Sequence, residues 1–335
     1  MRVYKKAHSI SRRALAIAVA AAAMGGASNG AADDLEEVTF GTNWYAQAEH
    51  GGFYQAVAEG IYEDYGLDVS IEMGGPQVNN TQLLAAGTID FSMGYPVDNY
   101  KAVQEGVPIV TVGGTFQADP QVIIAQPEVE TLEELRGERV AIASAAHTTF
   151  WPWLKAEYGF SDDMVATYDF SVAPFLAGAV KAQQGYVSSE PFQIQREGVE
   201  PTVFLLADYG YPPYAQTLET TQEMVEQSPD IVSRFVEASM KGWQSYLDNP
   251  EPGNALIVED NPEMTQEQIE FGIQQMDEYE LVVGGDAQEH GIGVMTDARW
   301  QELYDFLVSA ELISDEVDVD AAYTLEFLPE EPVLP

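Results

Sequence analysis

The chain has 335 residues, 46% of them apolar, which is enough to bury one large core or two medium ones. It contains no cysteine, which excludes disulfides, thiolate metal sites, a cysteine nucleophile and a lipid-modified cysteine anchor. The 14 Lys and Arg residues stand against 55 Asp and Glu, and the resulting net charge of −41 argues against nucleic acid as a partner.

The first 32 residues have the pattern of a secretory signal peptide. Five basic side chains within residues 2–13 precede an apolar run of eleven residues, 14–24, and small residues then lead to Ala32. The run is too short to span a bilayer, so we expect cleavage after Ala32 and export of the remainder. Adjacent Arg12 and Arg13 leave twin-arginine export open beside the general route.

Acidic residues are spread along the chain rather than gathered in a tail. Together with the many apolar and aromatic residues, this spread indicates a folded, acidic surface whose self-repulsion is relieved by screening salt. The pattern favours a salt-rich exterior, although an acidic surface also simply confers solubility.

Strand and helix patterns alternate through the first two thirds of the chain. In order, we expect a strand at 38–43, a helix at 52–64, a strand at 67–73, a helix at 78–86, a strand at 89–93, a helix at 97–105 and a strand at 109–113. A second series has a strand at 122–125, a helix at 132–136, a strand at 139–144 and a helix at 149–158, and continues through 167–170, 175–180, 186–188, a helix from Pro191, and 202–206. The pattern after Tyr214 is mostly helical, with a long helix opened by Ser228 and Pro229. An α/β fold follows.

Aromatic and polar residues recur where predicted strands end. Trp44 and Tyr45 follow the first strand, Tyr95 follows the third, and Tyr211 lies beyond the last. In open α/β sheets, ligands bind beyond the carboxyl ends of the strands. The sequence lacks the local motifs of serine hydrolases, zinc peptidases and phosphate-binding loops, so we expect a binding pocket without a metal or cofactor.

These same segments resemble a known family. The segments at 43–45, 49–54, 60–69 and 90–91 are similar to periplasmic solute-binding proteins of ABC importers, in the group that includes binders of thiamine-pyrimidine precursors, riboflavin, alkanesulfonates, taurine and nitrate. The resemblance covers essentially the whole chain after residue 32. It implies a two-lobe periplasmic-binding-protein fold of type II, with a mixed sheet in each lobe. Lobe 1 is expected at 33–118 and 214–335, and lobe 2 at 119–213, joined by two crossing segments.

The same fold also includes thiamine-pyrimidine synthases, which use a lysine-bound pyridoxal phosphate and a histidine with iron. The resemblance places Gly94 at the position of their lysine and Asp98 near that of their histidine. Their cysteine-rich motif falls on 211–215, which contains no cysteine. We therefore expect a binder and not an enzyme.

The resemblance and the residue types together define the expected ligand. Few basic residues remain after residue 32, so a thiamine-pyrimidine precursor or a similar planar heteroaromatic amine is favoured over a sulfonate or nitrate. Trp44 would stack on it together with one of Tyr95, Trp151 or Tyr211. Glu190 would accept hydrogen bonds from ring amino groups, unless it only stabilises the helix that follows it. The predicted ligand-binding residues are Trp44, Tyr45, His50, Tyr95, Trp151, Glu190 and Tyr211. The expected partners are a membrane permease with its ATPase, and the binder itself is expected to be a monomer in the periplasm.

Overall fold

The computed structural model describes residues 35–335, so the predicted signal peptide lies outside the described residues. The strands are β1 Glu36–Gly41, β2 Leu67–Glu72, β3 Phe91–Gly94, β4 Ile109–Phe116, β5 Gln121–Ala125, β6 Val140–Ile142, β7 Val165–Thr167, β8 Ala182–Tyr186, β9 Thr202–Leu205 and β10 Ala215–Thr221. The helices are α1 Gly51–Ala58, α2 Ile61–Asp64, α3 Asn80–Ala85, α4 Pro96–Gln104, α5 Phe150–Tyr158, α6 Ala173–Leu176, α7 Glu190–Arg196, α8 Gln222–Gln227, α9 Pro229–Asp248, α10 Glu251–Asp260, α11 Gln266–Glu278, α12 Ala287–His290 and α13 Asp297–Ser309.

The strands form two mixed sheets with helices packed against them. The first sheet has the order β2-β1-β3-β10-β4 and the second has the order β7-β6-β8-β5-β9. In each sheet the central strands are parallel, and a strand that returns from elsewhere in the chain runs antiparallel: β10 in the first sheet and β5 in the second. The predicted α/β class with two mixed sheets is confirmed.

The chain passes between the sheets twice. It leaves the first sheet after Phe116 and enters the second at Gln121, and it returns between Leu205 and Ala215. The returning strand, β10, lies between β3 and β4, where the sequence pattern predicted mostly helix. The pattern failed there because β10 carries Gln216, Thr217 and Glu219 among its buried residues, so it has no apolar run.

Two local predictions are corrected by backbone geometry. The single helix predicted at 52–64 is divided into α1 and α2, because Gly60 between them has a φ of 70° and ends the helical path. The strand predicted at 186–188 lies earlier, at Ala182–Tyr186, with the polar Gln183 and Gln184 buried within it.

The core beside the first sheet is built around the contact between α1 and α9. Trp243 and Tyr246 of α9 lie against the start of α1, and a Cβ on Gly51 would come within 2.0 Å of the Tyr246 ring. A Cβ on Gly52 would likewise come within 2.3 Å of the Trp243 ring. The paired glycines therefore let two large rings pack directly on the backbone that leads from Trp44 into α1.

Few ion pairs offset the repulsion among the acidic side chains of this fold. Among the described residues, Lys or Arg forms four ion pairs with Asp or Glu, and each of these includes a partly exposed side chain. No helix within residues 35–335 is both long enough and apolar enough to cross a membrane.

Sodium chloride is therefore expected to stabilise the protein. Screening weakens repulsion among the 55 acidic residues, so Tm in thermal melts should rise between low and molar sodium chloride. Sodium sulfate is a poorer reagent because it also strengthens apolar burial. A Tm that stays flat or falls with added sodium chloride would contradict this expectation.

Candidate ligand-binding site

A cavity of about 340 Å³ lies between loops of the first sheet and loops of the second. Trp44 follows β1 and Tyr95 follows β3, while Tyr186 ends β8. The rings that line the cavity include Trp44, Tyr95, Tyr168, Phe170, Tyr186 and Tyr211. Its charged lining residues are Asp98, Asp119 and Glu190, and none of the described lining residues is Lys, Arg or His. The cavity is thus aromatic and acidic.

Four of the seven predicted ligand-binding residues line this cavity. Trp44, Tyr95, Glu190 and Tyr211 lie on its wall, with Trp44 partly exposed and Tyr211 buried. The structure therefore brings together residues from the first sheet's loops, the second sheet and the returning connection. Their part in ligand binding stays a prediction.

The other three predicted residues lie outside the wall. Trp151 is fully buried in the core of the second lobe, where its indole Nε1 donates to Asp162 Oδ1 at 2.8 Å, because α5 turns this ring inward. Tyr45 points to solvent with 44% of its surface exposed and touches the edge of the Trp44 ring. His50 is fully buried and does not line the cavity. The structure thus does not place Tyr45, His50 or Trp151 against the cavity, and their part in ligand binding stays a prediction.

Glu190 is held by two hydrogen bonds at the inner wall. The Tyr168 hydroxyl donates to Oε1 at 2.7 Å and the Tyr186 amide donates to Oε2 at 2.8 Å. A Cβ on Gly185 would lie 2.9 Å from Oε2, so glycine makes room for the carboxylate. Glu190 is the first residue of α7, yet its side chain bonds to groups outside that helix. Burial raises its pKa, while both hydrogen bonds favour the ionised form.

His50 positions a chain of polar groups that ends at the cavity. The Gln47 amide donates to Nδ1 at 3.2 Å, so the proton lies on Nε2, which donates to Asn43 Oδ1 at 3.1 Å. Asn43 Nδ2 in turn donates to the Tyr95 hydroxyl at 3.3 Å, and Tyr95 and Tyr186 bond through their hydroxyls. Burial lowers the pKa of His50 to about 3 and keeps the ring neutral. His50 is a positioning residue in this arrangement.

In addition to Glu190, three buried carboxyl groups lie in the cavity or near it. Asp119, in the first connection between the sheets, accepts the Gln121 amide at 2.8 Å, and burial raises its pKa to about 7. Burial, with repulsion from Asp98, raises the pKa of Glu219 to about 8. Glu49 accepts the Ser188 hydroxyl, and burial raises its pKa too. Burial thus favours the protonated, uncharged form of all three groups.

Several wall residues were missed by sequence reasoning. Tyr168 directly follows β7, which ends at Thr167, whereas the predicted strand extends to residue 170. With the correct strand end, the rule that selected Trp44 and Tyr95 would also have selected Tyr168. Tyr186 and Gln184 belong to the misplaced strand β8. Asp119 and Phe170 gave no pattern signal. No cluster of three or more His, Asp or Glu side chains suited to a metal ion occurs within residues 35–335.

Comparison with known proteins identifies the family. The family model described as NMT1/THI5 like matches residues 47–252, which is more than half of the chain. This chain belongs to the NMT1/THI5 like family. The resemblance predicted from the loop segments is therefore confirmed at this level.

Relatives of this NMT1/THI5 like protein include binding proteins. The riboflavin-binding protein RibY of Chloroflexus aurantiacus is 27% identical over 313 residues, covering 88% of this chain and 87% of its own. A formylaminopyrimidine-binding protein of Halalkalibacterium halodurans is 26% identical over 314 residues, covering 89% and 93%. The solved structure of the periplasmic aliphatic sulphonate binding protein SsuA of Escherichia coli superposes with a TM-score of 0.65 at 15% identity, covering 90% and 94%, and confirms the periplasmic-binding-protein fold.

Enzymes occur among the relatives as well. A 4-amino-5-hydroxymethyl-2-methylpyrimidine phosphate synthase of Legionella pneumophila is 19% identical over 305 residues, covering 88% of this chain and 93% of its own. The relatives of this NMT1/THI5 like protein thus include both binding proteins and enzymes. The residues of the site must distinguish between these two functions.

Proposed function

We propose that this chain is the extracytoplasmic substrate-binding component of an ABC import system and captures a small planar heteroaromatic amine between its two lobes. The observation that carries the proposal is the cavity between the sheets, which has aromatic walls, three carboxylates and no basic side chain among its described lining residues. Flat rings offer stacking area to a planar ligand, and carboxylates accept hydrogen bonds from amino groups.

A heteroaromatic amine suits this wall better than a sulfonate or nitrate. An anion would require amides or cationic side chains and would face Asp98, Asp119 and Glu190 across the cavity. Two of the relatives are a riboflavin-binding protein and a formylaminopyrimidine-binding protein, and both support the same ligand class. The fold shared with SsuA does not itself favour a sulfonate, because its identity to this chain is only 15%.

Two features of the residues argue against pyrimidine synthesis. The chain contains no cysteine, and Gly94 stands where the resemblance places the synthase lysine. A Cβ on Gly94 would lie 2.2 Å from the Glu219 carboxyl carbon, so the room for a side chain there is filled. The cavity therefore supports binding without covalent capture of a pyridoxal phosphate.

The remaining parts of the proposal follow from this class of protein. We expect lobe 1 at 33–118 and 214–335 to close on lobe 2 at 119–213 by bending the two connections, which carry Asp119 and Tyr211. Delivery would be to a membrane permease and its ATPase from the periplasm. The protein is proposed to act as a monomer.

Calorimetry with matched ligands tests the proposal. Ligand-free protein in high salt should bind hydroxymethyl- or aminomethyl-pyrimidine, or riboflavin, and should not bind taurine or an alkanesulfonate. Binding of a sulfonate alone would overturn the ligand class. A saturable Schiff-base absorbance band on titration with pyridoxal phosphate would overturn the assignment as a binder. Native mass spectrometry of protein purified from its own host would identify the retained ligand and the oligomeric state.

Trp44→Ala should weaken ligand binding with little effect on stability. Trp44 lines the cavity and is only partly buried, so its ring contributes stacking area more than core packing. Loss of one stacked ring is expected to cost about 1 to 3 kcal/mol of affinity, roughly a tenfold to hundredfold rise in Kd. Calorimetry and thermal melts on the same preparations separate the two effects. Normal affinity combined with a lowered Tm would contradict the place of Trp44 in the site.

A further inference from the structure

Phe170 has an unusual backbone and an unusual exposure for its residue type. It lies in the loop between β7 and α6 with a φ of 63°, a left-handed conformation that a bulky residue adopts at a cost of about 1 to 3 kcal/mol. Its side chain is 54% exposed, although phenylalanine gains from burial. Glycine or asparagine would suit this backbone better. Neither the loop conformation nor core packing accounts for a phenylalanine here.

The Phe170 ring makes a direct contact across the cavity mouth. Its centroid lies 5.2 Å from that of Trp44, which belongs to the loop after β1 in the first sheet. On its other side it lies 5.4 Å from Tyr168, whose hydroxyl donates to Glu190. Tyr45 extends the same row beyond Trp44. An aromatic row thus runs from the solvent-exposed rim to the inner carboxylate, and Phe170 is the member that joins the two sheets' loops.

We propose that Phe170 is the closing ring of the binding site: it covers Trp44 and the outer edge of the bound heteroaromatic ligand, and it sets the rate of ligand release. This inference rests on the proposed function. The strained backbone already holds the ring over the cavity mouth before the ligand binds. Closure therefore loses less conformational entropy when the ligand binds. Removal of the ring should therefore act mainly on dissociation, as most changes at a fixed interface do.

Three variants at this position separate the ring from the backbone. Phe170→Ala removes the ring and keeps the unfavourable conformation, Phe170→Asn removes the ring and tolerates it, and Phe170→Tyr keeps the ring. Val258→Ala is the control, because Val258 is an apolar residue of α10 with 38% exposure that does not line the cavity or belong to either connection. Stopped-flow release of riboflavin and of hydroxymethylpyrimidine, the two probes, gives the dissociation rates.

We expect both Phe170→Ala and Phe170→Asn to release the probe at least about tenfold faster than the unsubstituted protein, as for loss of one stacked ring. Phe170→Tyr and Val258→Ala should keep the original rate. Equal release rates for all four variants and the unsubstituted protein would overturn the inference. Faster release by Phe170→Ala together with an unchanged rate in Phe170→Asn would also overturn it, because strain and not the ring would then be responsible.

Acrylamide quenching of tryptophan fluorescence gives a second measurement that needs no ligand. Trp151, Trp153, Trp243 and Trp300 are at most 4% exposed, so quenching reports chiefly on Trp44. Loss of the covering ring in Phe170→Ala and Phe170→Asn should increase quenching, and Trp44→Phe should abolish the increase. Unchanged quenching overturns the inference whatever the ligand is. If the unsubstituted protein binds neither probe, the ligand class of the proposed function fails, and quenching alone decides whether Phe170 covers Trp44.

Discussion

Trp243→Ala is expected to lower the free energy of unfolding by about 3 to 5 kcal/mol. Trp243 has no exposed surface and packs its ring edge against Phe53, Phe116 and Tyr246 at centroid distances of 5.9, 5.6 and 5.8 Å. These neighbours belong to α1, β4 and α9, so truncation leaves a cavity between elements that cannot all move inward. Denaturant unfolding at constant high salt measures the loss.

Two further variants define what the Trp243 result means. Trp243→Phe should cost less than Trp243→Ala because it keeps a ring, and because the buried indole Nε1 has no hydrogen-bond partner to lose. Trp44→Ala should show the opposite behaviour, with weak binding and near-normal unfolding. If Trp44→Ala unfolds early and binds normally while Trp243→Ala does the reverse, the division of these residues between site and core is wrong.

Helices and strands could be predicted from the sequence where their buried apolar residues recur at regular spacing. The apolar stripe of the helix opened by Ser228 and Pro229 correctly predicted α9, Pro229–Asp248, with Trp243 in the core. The prediction failed for β10, because only Ala215 and Leu218 of its six buried residues are apolar, although the strand runs through the middle of the first sheet. Local pattern carries no information about which distant strand will cover Gln216 or Glu219.

The site was only partly predictable for a related reason. The expectation that strand ends carry ligand groups found Trp44 and Tyr95, which do line the cavity. The same expectation also selected Trp151, which the structure places in a core. An aromatic-rich helix start has the same sequence pattern whether its rings face a cavity or a core. Here Asp162, eleven residues further on, accepts the indole proton and fixes the ring inward. Asp119 and Phe170 line the cavity because the loops of the two sheets lie next to each other. Sequence periodicity gives no information about that arrangement.

The buried carboxyl of Glu219 makes a second large effect testable, through pH. Glu219 is 4% exposed, and its carboxyl group lies over Gly94 on the first sheet. Burial raises its pKa from 4.5 in the unfolded chain to about 8 in the folded protein. Between these values the folded state holds a proton that the unfolded state has lost. Stability from this group is therefore present below about pH 4.5 and is lost as pH rises toward 8.

Glu219→Gln should remove this pH-dependent loss. The amide is close in shape and carries no charge, so at pH 9 the variant should exceed the unsubstituted protein in unfolding free energy by up to about 4 kcal/mol. At pH 5 the two proteins should be nearly equal, since the native carboxyl is then protonated. Glu226→Gln, on the exposed part of α8, controls for loss of one negative charge from a strongly acidic chain. Denaturant unfolding at pH 5, 7 and 9 in constant molar sodium chloride provides the comparison. A Glu219→Gln difference that is the same at all three pH values would show that the native carboxylate is already ionised, with water or a cation beside it.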